Sequence, residues 1–433
     1  MKKNLTLILV ILLALSWYVS FDAYYGVPKK IEQYLKQAEE FEKKEIYEDA
    51  IGEYEKVQEC LSDKDIDIDL KIAADYLAMH EERDYVRKME NIINSYEENE
   101  KAVIELSDYY VENEKIPKAV QILKEEKEKQ PENEKINKAL DELKGSYTTI
   151  YASYLDMTRI QGGYAAVQNQ DGWGVIDSTG AAIINSVYEN AGVFGDRIQL
   201  VPLCEAGNWF YVNADGHKKL VPDEKCELLG VFSEGFAAAC LNGKYGYVNE
   251  KLEIQCEFIY EDVSSFYNHV SAVKKDGKWA LIDDEFHLVT DFLYEDVVMD
   301  EFGYCSMGER IFVKKDGLYQ MINLEGDVVT ETTFENAYPF MQKDQLAAVK
   351  KGGKWGFVNE NGDLYIEYIF DEAKSFTIEF APVKQNDSWG YIDREGKTVI
   401  PYQFAEATEF YKDGTAAVKS ADRWNMIKLN IYQ

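Results

Sequence analysis

Aromatic residues recur at a nearly constant interval between residues 173 and 424 of this 433-residue chain. Six of the seven tryptophans lie on the series and tyrosine fills two further positions, which gives eight anchors: Trp173, Trp209, Tyr245, Trp279, Tyr319, Trp355, Trp389 and Trp424. Successive anchors are 36, 36, 34, 40, 36, 34 and 35 residues apart. A period of about 20–50 residues is typical of proteins built from stacked repeats. We therefore interpret the last two-thirds of the chain as copies of one structural unit.

Each copy has the pattern of a small antiparallel sheet. A strand of small apolar residues, such as Leu346–Val349, leads to a tight turn such as Asn242-Gly243. Asn-Gly and Asp-Gly pairs favour hairpins because a type I′ turn needs positive φ at both central residues. The anchor then begins a second strand, and a third strand ends in an aromatic residue that is often followed by an acidic one, as in Tyr260-Glu261. We expect the anchors to be mainly core residues, with an exposed stripe that binds a sugar or peptide as the alternative.

Two of the copies resemble a known repeat. The Gly-Lys-Trp-Gly-Phe-Val-Asn run at 353–359 and the Ser-Trp-Gly-Tyr-Ile-Asp-Arg-Glu-Gly run at 388–396 are similar to the bacterial WG, or KWG, repeat, and the likeness extends over roughly residues 150–430. Some copies depart from it, for example with Phe210, Ala280 or Gln320 in place of the glycine after the anchor. The resemblance implies an interaction scaffold and no defined chemistry.

The two ends of the repeat region indicate how the copies are arranged. The last copy stops soon after Trp424, before a third strand, while an unassigned segment at 151–157 precedes the first copy. Tyr154 in that segment lies 11 residues before Ala165, the same spacing that separates Tyr260 from Ser271. The early segment therefore supplies the strand that the last copy lacks. We expect an eight-unit, propeller-like ring over residues 146–433, with an open β-solenoid as the alternative.

Residues 28–145 have a different character. They are rich in Glu and Lys, and their apolar residues follow helical spacing, for example at Ala50, Tyr54, Ala119 and Leu123. Ala50 and Ala119 are 69 residues apart, which is two tetratricopeptide periods. The segment resembles three tetratricopeptide-like hairpins with a degenerate middle unit, which implies a concave surface for a peptide or partner helix. An acidic helical stalk is the alternative.

The first 27 residues have the form of an export signal. Lys2 and Lys3 precede an apolar run from Leu5 to Val19, and no clear Ala-x-Ala cleavage site follows. The run is near the lower limit of about 17–25 residues for crossing a bilayer. We expect an uncleaved single-pass signal anchor at residues 1–27, with the bulk of the chain extracytoplasmic. Secretion after cleavage is the alternative.

Net charge and the absence of common motifs exclude several classes of function. A formal net charge of −32 disfavours nucleic-acid binding, because phosphate backbones need Lys and Arg for neutralisation. The sequence has no nucleophile elbow, His-Glu-x-x-His, dinucleotide fingerprint or phosphate-binding loop. Asp65, Asp67 and Asp69 alternate as at the start of a calcium loop, but Leu70 and Tyr76 stand where a glycine and a carboxylate are needed. We expect no catalytic residues, no cofactor and no metal.

The predicted protein is multidomain, α then all-β. A membrane helix and a short α-solenoid precede the β-repeat domain. Its expected role is non-catalytic recognition or scaffolding of a protein or envelope ligand. A carbohydrate-binding or glycan-hydrolysing propeller is the alternative. The copy around residues 296–310, where the anchor interval is 40 rather than 34–36, is the place where an active site would break the pattern. A longer loop is the simpler explanation.

Overall fold

The computed structural model describes residues 16–17, 26–195, 197–217 and 219–433. These separate into two compact units, one ending at Leu143 and one beginning at Lys144. In the described part of the chain, no helix is long and apolar enough to cross a membrane. The expected signal anchor at residues 1–27 lies almost entirely outside the described residues.

Seven helices make up the described part of the first unit after residue 26. They are α1 Val27–Glu42, α2 Tyr47–Cys60, α3 Ile66–Ala78, α4 Glu82–Ser95, α5 Glu100–Glu112, α6 Ile116–Lys129 and α7 Glu134–Glu142. The first six pack as three successive hairpins, as expected from the sequence. Ala50, Tyr54, Ala119 and Leu123 are buried at the helix interfaces. Asp65 caps α3 by accepting a hydrogen bond from the Asp67 backbone N–H at 2.9 Å, so this acidic run begins a helix.

The second unit is built from 31 strands that form eight small antiparallel sheets, or blades, in the described residues. Blades 1 to 4 contain β2 Asp156–Met157, β3 Tyr164–Gln168, β4 Trp173–Asp177 and β5 Ala182–Tyr188; β6 Asn190–Ala191, β7 Leu200–Glu205, β8 Asn208–Asn213 and β9 Lys219–Leu220; β10 Leu228–Leu229, β11 Ala237–Leu241, β12 Lys244–Val248 and β13 Ile254–Tyr260; and β14 Asp262–Val263, β15 Val270–Lys275 and β16 Lys278–Asp283.

Blades 5 to 8 continue the same plan. They contain β17 Asp296–Val297, β18 Ile311–Lys315, β19 Leu318–Ile322 and β20 Val328–Phe334; β21 Asn336–Ala337, β22 Ala347–Lys351, β23 Lys354–Val358 and β24 Leu364–Phe370; β25 Glu372–Ala373, β26 Ala381–Gln385, β27 Ser388–Ile392 and β28 Thr398–Phe404; and β29 Glu406–Ala407, β30 Thr415–Ser420, β31 Arg423–Leu429 and β1 Tyr147–Tyr154. A short 3-10 helix, Asn430–Tyr432, follows β31.

The last blade closes the ring with a strand from the other end of the unit. Strand β1 pairs antiparallel with β31, and Tyr154 lies opposite Trp424. Met157 and Ile160 of blade 1 pack in one apolar cluster with Trp424 and Met426 of blade 8. The predicted propeller is confirmed, and the open solenoid is not favoured.

The glycine after the anchor has a structural reason. In blades 6 and 7 the anchors Trp355 and Trp389 pair with the last aromatic residue of the outer strand, and the register shifts just beyond them. A Cβ at Gly356 or Gly390 would lie 2.6 Å from a carbonyl oxygen of that strand. Any larger residue would therefore push the outer strand away.

Three of the four copies without that glycine have a different outer edge. Blade 2, with Phe210, has only the two-residue strand β9, and blade 4, with Ala280, has isolated bridges in place of a regular fourth strand. In blade 5, Gln320 pairs regularly with Thr333. In blade 8, Asn425 follows the anchor and the same register shift is present between Ile150 and Tyr154, so the shift does not require the glycine.

Candidate ligand site on the propeller axis

The first strand of blades 1 to 7, and β29 in blade 8, is only two residues long and lies at one edge of its sheet. Arg159 follows this strand in blade 1 and Asp300 follows it in blade 5, and their side chains form a buried ion pair. Blades 1 and 5 are four positions apart in a ring of eight. Since residues from opposite blades meet there, the segments after the short strands converge on the centre.

The irregular copy at residues 296–310 fills this centre. The loop between β17 and β18 has 13 residues (298–310), against 7 (374–380) in blade 7. The Asp300 carboxylate accepts hydrogen bonds from the backbone N–H groups of Phe302 and Tyr304 at 2.9 and 2.8 Å, which shapes the loop as a tight turn. The Ser265 hydroxyl of blade 4 donates to the Phe302 carbonyl oxygen at 2.9 Å. The long anchor interval thus produces a loop that crosses the axis.

Arg159 is the positive charge at the centre. Its backbone N–H donates to a Glu301 carboxylate oxygen at 2.9 Å, and its guanidinium lies 4.7 Å from the centre of the Phe302 ring. Burial alone would lower the pKa of Arg159, but the negative charges of Asp300, Glu409 and Glu301 outweigh that effect and raise it. Arg159 is therefore held in its charged form.

A pocket of about 330 Å³ opens beside this ion pair, within the range of small-ligand sites. Its walls come from the segments after the short strands of blades 1, 6, 7 and 8, together with the blade-5 loop. We call it the axial pocket and define it by Arg159, Gln161, Met307, Met341, Thr377 and Glu409.

Three buried side chains of the axial pocket carry oxygen atoms without a hydrogen-bond partner. They are Oε1 of Gln161, Oγ1 of Thr377 and both carboxylate oxygens of Glu409. Glu409 is 2% exposed, and Gln161 and Thr377 are each 6% exposed. Burial, followed by the charge of Glu409 and a polar contact with its carboxylate, raises the pKa of Tyr338 well above its usual value. Neither carboxylate oxygen of Glu409 meets full hydrogen-bond geometry with a donor.

Sequence reasoning missed these residues, although a signal for two of them was present. The fourth residue counted from the start of each short strand is Arg159, Val193, Val231, Ser265, Met299, Pro339, Ser375 and Glu409. Only the two adjacent blades 1 and 8 place a charge there. A comparison of this position among copies would have marked both residues as exceptions.

The eight anchors do not converge on the axial pocket. Trp279, Tyr319, Trp355, Trp389 and Trp424 are buried, whereas Trp173, Trp209 and Tyr245 are partly exposed. Trp209 and Tyr245 line a different pocket of about 350 Å³ together with Asp262, Glu301 and Phe302. Burial, augmented by the charge of Glu409 and opposed by Arg159, raises the pKa of Glu301 to about 7.

The first unit has a pocket of its own. A groove of about 330 Å³ is lined by residues of α4, α5 and α6, including Ile93, Tyr110, Lys118 and Glu126. Its apolar floor and charged rim are typical of a surface that receives a peptide segment. In neither unit do the described residues include a group of three or more His, Cys, Asp and Glu side chains able to hold a metal ion.

Comparison with known proteins supports the repeat class. The second unit is an eight-bladed β-propeller. A family model described as "WG containing repeat" matches it in five places, at residues 209–245, 245–279, 321–355, 355–388 and 389–424. The second unit therefore contains WG repeats. Each match runs from one anchor region to the next, so the unit that repeats in sequence joins the outer half of one blade to the inner half of its neighbour.

Solved structures give weaker similarities. A crystal structure of the eukaryotic initiation factor shares 12% identity at a TM-score of 0.44, covering 66% of this chain and 86% of that one. The WD40 domain of SCAP from fission yeast shares 9% identity at a TM-score of 0.39, covering 66% and 97%. Hsv2 from Kluyvelomyces marxianus shares 8% identity at a TM-score of 0.38, covering 64% and 97%. Similarities this weak say nothing about a partner or an activity of this chain. No match was found among curated proteins.

Proposed function

We propose that this chain is a non-catalytic recognition or scaffold protein that holds a protein or cell-envelope ligand on its propeller. The observation that carries the proposal is the axial pocket, where buried polar groups without partners lie beside a fixed ion pair. Recognition sites commonly combine an apolar lining with a few placed polar groups. The groove of the helical unit is a second surface on which the same partner, or another, could bind.

Location is part of the same proposal. Lys2, Lys3 and the apolar run that follows support a single-pass anchor with the bulk of the chain outside the cytoplasm. Membrane fractionation of cells that make the full chain, followed by protease treatment of intact cells or spheroplasts, tests this. Recovery of the uncleaved protein in the membrane fraction, digested from the outside, is expected. A protease-protected protein in the cytoplasm would contradict the proposal.

The recognition role is tested by capture from envelope extracts with the full chain and three charge variants. Lys412→Glu changes the rim of the axial pocket, and Lys118→Glu changes the groove of the helical unit. Lys351→Glu makes the same charge change at an exposed hairpin of blade 6 and serves as the control. We expect a partner that is retained by the control and lost with Lys412→Glu.

Three results would argue otherwise. If the partner is lost only with Lys118→Glu, recognition would be assigned to the helical groove, which contradicts the assignment to the propeller. No partner for any form would remove the support for a scaffold role. Turnover of a glycan or peptide library by the full chain would favour the alternative, a hydrolytic propeller.

A further inference from the structure

We propose that the axial pocket binds a primary ammonium group carried on an aliphatic stem, such as a lysine side chain or a free alkylamine. This inference deepens the proposed recognition role and rests on it. It names the ligand chemistry from the acceptor atoms that Gln161, Thr377 and Glu409 leave unsatisfied. The Nε of Arg159 is a buried donor without a hydrogen-bond partner at the same pocket, but it lies 3.6 Å from a Glu301 carboxylate oxygen in an ion pair.

Every unpartnered buried polar atom at Gln161, Thr377 and Glu409 is an oxygen. A carboxylate oxygen and an amide oxygen only accept hydrogen bonds, and a hydroxyl can accept one. A primary ammonium has three N–H donors and no acceptor. Three acceptor side chains facing one pocket therefore match the three donors of one such group. Leaving buried acceptors unpaired is unfavourable, so a donor that reaches them is favoured.

The charges at the site point in the same direction. Arg159 is the single positive side chain of the buried cluster and is already engaged by Asp300 and Glu301. Glu409 forms no ion pair among the described residues, and its carboxylate oxygens meet full hydrogen-bond geometry with no donor, although the Tyr338 hydroxyl lies beside them. The cluster thus has one positive side chain against three carboxyl groups, of which Glu301, with a pKa raised by burial to about 7, is partly protonated at neutral pH. A cation beside Glu409 would restore part of the charge balance. An anion would meet Glu409 directly and is disfavoured.

The remaining lining suits an aliphatic stem. Ile160, Met341 and Phe410 are buried, and Met307 is partly buried at the same pocket. Methionine side chains adapt to flexible apolar ligands. Lys412 at the rim lies with its ammonium 5.5 Å from the centre of the Tyr411 ring, and it donates no hydrogen bond to either Glu409 carboxylate oxygen.

The test measures binding of four small probes to the full chain, by calorimetry or ligand-observed NMR at low salt. 1,5-Diaminopentane and a blocked lysine amide carry the ammonium, and 1-pentanol and a blocked norleucine amide are matched probes without it. We expect saturable binding of the ammonium probes alone. A blocked lysine peptide that binds better than the diamine would identify a protein chain as the source, and the reverse would identify a free amine.

Glu409→Gln keeps the size of the side chain and removes the charge, and it should weaken ammonium binding roughly ten- to a hundredfold. Glu406→Gln is the control, because it makes the same charge change three residues away at an exposed side chain paired with Lys419. If Glu409→Gln does not fold, Thr377→Val replaces one acceptor with a methyl group and should also weaken binding. No binding of ammonium probes in the millimolar range, or equal binding by Glu409→Gln and the native chain, would overturn the proposal.

This outcome is separable from the test of recognition. A captured partner without any ammonium binding would sustain the recognition role and reject the ligand chemistry. Ammonium binding without a captured partner would support the proposed ligand chemistry of the axial pocket and reject the scaffold role.

Discussion

Arg159 of blade 1 and Asp300 of blade 5 form a buried ion pair across the axis of the ring. Two residues 141 positions apart in sequence thus tie opposite sides of the propeller together. Removing one partner of a buried pair leaves an uncompensated charge, whereas replacing both by apolar residues is often tolerated.

We therefore expect Arg159→Met or Asp300→Leu alone to lower the free energy of unfolding by about 3–5 kcal/mol, and the double variant to lose less than the sum. Urea denaturation monitored by tryptophan fluorescence, applied to the native chain, both single variants and the double variant, measures this double-mutant cycle. The exposed pair Lys419–Glu406 is the control, where single changes should cost less than about 1 kcal/mol. Additive losses at Arg159 and Asp300 would show that the pair does not act as a unit.

The cost of removing an anchor should follow its burial. Trp424, which is 5% exposed, joins the closing blade to blade 1, whereas Trp173 is partly exposed. Trp424→Ala should lower stability by about 3–5 kcal/mol and Trp173→Ala by less. Thermal denaturation of both variants tests this. Equal losses would mean that closure of the ring contributes nothing beyond an ordinary anchor.

An acidic residue after the outer strand ties down the next hairpin. The Glu335 carboxylate accepts hydrogen bonds from the backbone N–H groups of Gly352 and Gly353 at 2.8 and 3.0 Å. Glu335→Ala should cost about 1–2 kcal/mol, because two N–H groups lose a charged acceptor. Glu335→Gln keeps one acceptor and should cost less. Hydrogen exchange at Gly352 and Gly353 reports the same effect locally, and unchanged protection in the alanine variant would contradict it.

Asp75 should make the stability of the helical unit depend on pH. It lies in α3, is 4% exposed, and burial together with the charge of Glu42 raises its pKa to about 7, against a smaller opposing effect of Lys71. Between the unfolded pKa of about 4 and this value, the folded state holds the proton that the unfolded state has lost. Stability contributed by this group is therefore greatest at low pH and is lost as the pH rises toward 7.

Asp75→Asn removes this titration. We expect the variant to be more stable than the native chain by about 1–3 kcal/mol at pH 8, and to show a smaller difference at pH 5. Urea denaturation followed by circular dichroism at both pH values is the measurement. The same pH dependence in both proteins would exclude Asp75 as its source.

The buried thiols should react slowly. All six cysteines are free, and burial, followed by the hydrogen bond and charge of Glu227, raises the pKa of Cys240 to about 11. Burial likewise raises the pKa of Cys305 to about 11. Because the thiolate is the reactive form, alkylation at pH 8 should modify both thiols only after unfolding, while the partly exposed Cys60 reacts in the folded chain. Mapping by mass spectrometry checks this, and rapid native labelling of Cys240 would contradict it.

Local patterns were sufficient to predict much of this fold. The spacing of anchors such as Trp355 and Trp389 indicated the repeat, and Tyr154 indicated the closing strand, because each blade is stabilised by contacts that recur at the same place in every copy. The glycine after the anchor could also be recognised as a marker of close backbone approach. In the helical unit, the spacing that placed Ala50 and Ala119 at helix interfaces reflects one amphipathic face per helix.

What the sequence alone determined was the repeating unit, the number of copies and the division into a helical and a β part, since these follow from short-range periodicity. Only the tertiary structure decided that Asp300, in a loop that looked like a simple insertion, would meet Arg159, and that Gln161, Thr377 and Glu409 would share one pocket. These residues come from four blades and are separated by up to 250 positions, between Arg159 and Glu409. Their proximity depends on closure of the ring, which brings the ends of distant short strands to a common axis.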